Sequence, residues 1–262
     1  MSVLATAALA NAGTALTANQ ALSSLLSGNS PFLAGNFANL SKMAQPGIRQ
    51  GLAAGQSPYA IVLGCSDSRV TPEVIFDKGL GEVFTVRVAG NIVADHEIGS
   101  IEYGVEHLCS PLIVVMGHTK CGAVTAAVNY AYPLLSTSTV RPIPLSTAVA
   151  NGSINSLINT LLPAVTAAYD ANPAAYLTAA SLIDPAIVQN VKMTAADLIT
   201  KSTIIDEAVN IGMPATCLTT GGGSLPVGTK AKIVGAKYHV DHNTATPAAS
   251  LNGKVELISL VP

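Results

Sequence analysis

"IVLGCSDSRV", residues 61–70, decides how this chain is read. An apolar run ends at Gly64, and a thiol, a carboxylate and a guanidinium follow at alternate positions: Cys65, Asp67 and Arg69. The run "YAIVLG" (59–64) sits between Pro58 and this reactive loop. It is too short for an ordinary helix and does not alternate, so it reads as a strand buried on both faces, as in parallel sheets. "IVVMGHTKCGAV" (113–124) repeats the plan. Strand "LIVVMG" (112–117) ends in glycine, His118 and Cys121 follow, and a helix leaves over 121–131.

Between the two motifs, "PEVIFDKGL" (72–80) reads as a short helix with proline at its start, "VFTVRVAG" (83–90) as a strand and "DHEIGSIEYGVEHLCS" (95–110) as a helix. Strand, helix, strand, helix, strand argues for an α/β fold with a mostly parallel central sheet flanked by helices. Upstream, "ANQALSSLLSGNSPFLAG" (18–35) predicts a helix ending near Gly28, and "FANLSKMAQPGIRQGLAAG" (37–55) a helical stretch interrupted by Pro46-Gly47. Downstream, helices are expected near 153–170 and over 190–212, a loop over 217–229, and a C-terminal strand pair at 231–240 and 254–261 joined by "DHNTATPAASLNG". No repeat and no domain boundary is visible. One domain over 1–262 is expected, with a helical arm at 1–55, a site-bearing core at 56–131 and a loop insertion at 213–230.

The 262 residues are 49% hydrophobic and only 11% charged, with a net charge of −2. Ordinary soluble domains carry about 25% charged residues. The near-neutral balance gives no electrostatic reason to expect nucleic acid or an anionic membrane as partner, and no apolar run approaches the roughly 18 residues of a membrane span. The low charge and the Ala-rich start, "MSVLATAALANAGTALTANQ", lean toward an extracytoplasmic setting without deciding between periplasm and cytoplasm. That start lacks the basic region of a signal peptide. Four cysteines do not suggest a disulfide scaffold. Cys109 and Cys217 lie outside both motifs and are expected as buried thiols.

Both reactive loops directly follow a strand, where open α/β sheets bind ligands. If the strands are neighbours, Cys65, His118 and Cys121 converge as a Cys₂His set, which suits tetrahedral zinc and leaves a fourth position open. Asp67 is then close enough to reach that position, and Arg69 to grip Asp67 in a bidentate pair. Taken singly, these are a pair of buried thiols or a disulfide, a core histidine and a loop ion pair. Spacing alone leaves a zinc enzyme, a structural zinc site and a redox site open.

"CSDSRV" followed by "GHTKCGAV" resembles the β-class carbonic anhydrases, whose zinc signature is C-x-D-x-R and H-x-x-C. "VFTVRVAGN" and "SIEYGVEHL" resemble that family too. The likeness runs from about "ALSSLLSGN" to "AKIVGAKYHV", dense over 56–124 and thin over 132–183 and 213–230. It implies reversible hydration of CO₂ to bicarbonate and a proton by hydroxide held at Zn²⁺, with Cys65, His118 and Cys121 as ligands and Asp67 and Arg69 as the catalytic dyad. It implies a homo-oligomer built on a dimer whose cleft lies between subunits. Gln56, Phe84, Ala89, Tyr103 and the Gly122 backbone are implied at the substrate. His96 and His107 are surface groups available for proton transfer. Some members bind inhibitory bicarbonate through a tryptophan just before the first zinc cysteine; the matching position here is Val62, and the chain has no tryptophan. The same scaffold would suit CS₂ or COS hydrolysis, and a non-catalytic zinc-stabilised interaction module is the reading from another class.

Overall fold

The apolar runs before the two reactive loops become adjacent strands. In the computed structural model, which describes residues 15–39, 45–141, 143, 152–219, 225–240 and 253–260, β1 (Ala60–Gly64) lies between β2 (Val83–Arg87) and β3 (Leu112–His118). β4 (Lys232–Tyr238) continues the sheet beside β3, and β5 (Val255–Ile258) closes it. The order is β2-β1-β3-β4-β5; the first four strands are parallel and β5 runs antiparallel to β4. The expected C-terminal strand pair is present. Most of its connection, 241–252, lies outside the described residues, as do residues 1–14 of the expected arm.

β1 and β3 are buried at every position, because helices cover both faces of the sheet. Alternate residues go to opposite faces. Ile61, Leu63, Ile113 and Val115 pack with Ile101 and Val105 of α4 (Asp95–Glu106), with Val191 and Leu198 of α7 (Ala179–Lys201) and with Ile205 of α8 (Thr203–Asn210). Ala60, Val62, Val114 and Met116 pack with Ala21 and Leu25 of α1 (Ala18–Leu33) and with Ile75 of α3 (Pro72–Ile75). A third cluster joins α5 (Gly122–Leu135), α6 (Ile154–Ala171) and α7 through Val124, Val128, Leu161, Val165 and Ile187. Cys65 and Cys121 belong to that cluster, so a dry wall of helices backs the reactive loops.

Several expectations are corrected. α1 does not stop near Gly28 but continues through Pro31 to Leu33. Gly28 is a contact point: a Cβ there would lie 1.7 Å from the Phe76 carbonyl oxygen. Pro46 opens the short helix α2 (Pro46–Gly51) rather than interrupting a longer one, since its missing N–H costs nothing at a first helical position. The helix expected from 190 begins eleven residues earlier, where Thr178 and Ser181 cap each other, and it runs through Pro185. Part of the 217–229 loop is a short helix, α9 (Ala215–Thr219). Cys109 and Cys217, expected as buried thiols, form a disulfide that ties α9 to the segment after α4. They are 108 residues apart in sequence, so no local pattern links them. Among the described residues no helix is long and apolar enough to cross a membrane.

Candidate metal and catalytic site

From β1 the chain crosses to β2 on one side, and β3 then returns to the other side of β1. The carboxyl ends of β1 and β3 therefore border the switch point of the sheet, where such folds bind ligands. Gly64 pairs with Met116, so Cys65 and His118 leave the sheet at the same end. Cys121 follows one turn later, as the N-cap residue immediately before α5. The ligating atoms of Cys65, His118 and Cys121 lie within 4.8 Å of one another, and all three residues are buried.

The polar atoms around this cluster have a consistent arrangement. His118 Nδ1 lies 2.9 Å from the Thr119 carbonyl oxygen. That acceptor selects the Nδ1–H tautomer and leaves a lone pair on Nε2, the second-shell pattern of metal-ligating histidines. Nε2 is buried without a hydrogen-bond partner. An orphaned buried polar atom costs about 1–3 kcal/mol, which a cation at that point would offset. The Gly90 N–H donates to Cys65 Sγ at 3.3 Å. The Cys121 thiol donates to Cys65 and holds that thiol below its ordinary range, with His118 and the Gly90 and Asp67 backbones adding to the effect. The Cys65 sulfur and burial in turn push Cys121 up, against the first-turn N–H groups of Val124 and Ala123. Two thiolates and one neutral imidazole suit Zn²⁺ in a three-ligand site with a fourth position open. The residues fit that metal.

Asp67 stands beside the cluster. Its Oδ1 accepts from the Arg69 backbone N–H (3.0 Å) and Nε (2.9 Å), and its Oδ2 accepts from Arg69 Nη2 (2.6 Å). This hydrogen-bonded guanidinium holds the Asp67 carboxyl well below the usual carboxylate range, with His118 and direct charge attraction as smaller causes. Arg69 Nη2 also reaches the Lys120 carbonyl at 3.4 Å, linking the two loops. Arg87, at the end of β2, donates to the Cys65 carbonyl (2.9 Å) and the Asp67 carbonyl (2.6 Å). The sequence reading passed over Arg87; its signal was a guanidinium closing an otherwise uncharged strand, "VFTVR".

Of the other sequence-predicted residues, Ala89 lies in the 3-10 turn Ala89–Asn91 that supplies the N–H to Cys65, and Gly122 is the exposed first residue of α5. The remaining three lie elsewhere in the same chain. Phe84 pairs with Ile61, four residues before the level at which Val88 meets Ser66; at about 3.3 Å per residue that is about 13 Å along the strand. Tyr103 is 48% exposed and packs on Phe84 with ring centroids 6.3 Å apart. Gln56 precedes β1 and borders a surface groove of about 490 Å³ with Arg49, Leu52 and Leu80. His96 and His107 are exposed, on and just after α4.

The carbonic anhydrase family profile matches residues 60–217, from β1 through Cys217. The carbonic anhydrase of Mycolicibacterium smegmatis is 35% identical over 196 residues, which are 75% of this chain and 84% of that protein. The chain belongs to the β-carbonic anhydrase family. Carbonic anhydrase 2 of Mycobacterium tuberculosis is 52% identical over 103 residues, 39% of this chain; the match spans about half, 49%, of that relative's length. The β-carbonic anhydrase of Coccomyxa, solved with acetazolamide, superposes with a TM-score of 0.55 at 26% identity, over 90% of this chain and 85% of that one. A tetrameric β-carbonic anhydrase of Sordaria macrospora shares the fold, with a TM-score of 0.57 at 22% identity over 88% of this chain and 93% of that one. The Cys–His–Cys cluster and the Asp67–Arg69 pair all lie within the part of this β-carbonic anhydrase that the family profile matches.

Proposed function

We propose that this chain catalyses the reversible hydration of CO₂ to bicarbonate and a proton, with Zn²⁺ held by Cys65, His118 and Cys121. The observation that carries the reading is the orphaned His118 Nε2, buried with two thiols within 4.8 Å and next to an aspartate already gripped by arginine. A zinc-stabilised interaction module needs the three ligands but has no use for that pair. Zn²⁺ bound there would supply a Lewis acid that makes a hydroxide nucleophile available. Arg69 keeps the Asp67 carboxylate ionised, in one orientation and off the ligand cluster. Asp67 is then a fixed acceptor for the nucleophile's proton, which turns a lone pair toward the substrate carbon.

The remaining groups come from a second copy of the chain. Gln56, Phe84 and Tyr103 lie too far along the sheet to line this cluster within one subunit, and the Phe84–Tyr103 pair is partly exposed. With Phe84 placed across an interface, it and the Ala89 beside the cluster form apolar walls for a linear nonpolar substrate. The Gln56 amide donates to a CO₂ oxygen as charge develops there.

The test is stopped-flow CO₂ hydration with zinc content measured on the same preparation, and COS and CS₂ assayed beside it. CO₂ hydration by the zinc-loaded protein is expected. Zinc-loaded protein that hydrolyses only COS or CS₂, or does nothing, would overturn the reading.

A further inference from the structure

Of the backbone groups that act on the Cys65 sulfur, Gly90 is itself held from far away. The Gly90 N–H reaches Cys65 Sγ at 3.3 Å, and the carbonyl oxygen of Gly90 accepts from Asn190 Nδ2 at 2.8 Å. Asn190 is on α7, 100 residues further along the chain, and only 4% exposed. Gly90 has φ +79, and a Cβ there would lie 3.1 Å from Leu161 Cδ1 and 3.3 Å from Ala123 Cβ. Its peptide therefore sits in a left-handed conformation, pressed between α5 and α6 and secured from α7. The residues of the proposed reaction do not account for Asn190, a buried polar side chain at the edge of a groove that Ile92, Val93, Thr160 and Pro163 also line.

We propose that Asn190 is a positioning residue for the metal site: through the Gly90 carbonyl it fixes the Gly90 N–H on the Cys65 sulfur. The inference rests on the zinc reading above. An N–H held on a thiolate withdraws electron density from the sulfur and sets its rotamer before a cation arrives. The donor on the Gly90 carbonyl acts by position: it fixes the peptide that follows Gly90 and so the residue whose N–H faces the sulfur. Outer contacts of this kind are commonly worth about 10- to 100-fold in metal affinity. A buried asparagine kept only for packing would serve stability and leave the sulfur's electronic state alone.

Cobalt-substituted protein separates the two roles, because its sulfur-to-metal charge-transfer band reports electron donation by the thiolates. Asn190→Leu keeps similar bulk and removes the donor. The expected result is a charge-transfer band moved to longer wavelength and zinc affinity, measured by chelator competition, reduced about 10- to 100-fold. Should Asn190→Leu fail to fold, Asn190→Asp at pH 8 keeps the shape without an amide donor and carries the same measurement. An unchanged band and unchanged affinity, with only the melting temperature lowered, would overturn the proposal. A wild-type protein that binds neither metal would sink the zinc reading itself, a separate result.

Discussion

Cys121 shows how much a single side chain carries. It supplies a thiol to the cluster, stands at the N-cap of α5 and is 1% exposed. Cys121→Ser is expected to lose zinc and CO₂ hydration together, because a neutral hydroxyl does not replace a thiolate ligand; metal analysis beside the rate assay checks this. The Asp67–Arg69 pair gives a pH prediction. Its arginine holds the Asp67 carboxyl below the ordinary range, so the folded-state pKa is lower than the unfolded value of about 3.9. The pair's contribution is therefore complete above about pH 4 and is lost only as pH falls through the depressed folded value. Asp67 stays ionised from pH 5 to 9, so a rise in activity toward alkaline pH in that window does not report Asp67. Arg69→Ala is expected to retain zinc and lose activity at every pH in the window. Near-normal rates in that variant would reduce the pair to a loop contact.

At the scale of elements, α1 is placed by a close approach more than by helix propensity. Gly28 meets the Phe76 backbone, and the next residue, Asn29, donates to the Ile75 and Gly253 carbonyls and accepts from the Val255 N–H. One turn of helix thus joins α1, the end of α3 and the start of β5. Gly28→Ala should improve helix propensity yet destabilise the protein, because overpacking of a tight contact costs about 1–3 kcal/mol and here the obstacle is backbone. The expected outcome is a melting temperature several degrees lower, read by thermal denaturation. Gly47→Ala, where a Cβ meets nothing within 4 Å, is the control and should change little.

Across the whole molecule, the Cys109–Cys217 bridge closes a separation of 108 residues. On the chain-entropy account a loop of that size is worth about 4–5 kcal/mol. Thiol titration of metal-free protein in denaturant without reductant is expected to find two free thiols, Cys65 and Cys121. Reductant or Cys217→Ser should then lower the denaturation midpoint. Four reactive thiols would remove the bridge. Assembly belongs to the same scale. Because Gln56, Phe84 and Tyr103 lie away from the cluster of their own subunit, the smallest active unit is expected to be a dimer. Sedimentation at assay concentration checks this, and an active monomer would contradict it.

The strands and the reactive loops were legible in the sequence because their signals are local. A run such as "AIVLG" is apolar throughout only when both faces are covered, and ligand-type residues at fixed spacing follow it directly. From those two stretches came the residues Cys65, Asp67, Arg69, His118 and Cys121, and from their alternation with the elements read over 72–110 came the α/β class and the parallel core. What the tertiary structure decided lies in contacts between residues that no local pattern joins. The adjacency of β1 and β3 turned two half-sites into one cluster. Cys109 met Cys217, Asn190 met Gly90, and Gly28 proved to be a contact with Phe76 rather than a helix end. The physical reason is common to all of these: periodicity and propensity report the chain's neighbours along the sequence. Which distant backbone atom comes to rest against a glycine, a thiol or an amide is set only when the layers pack.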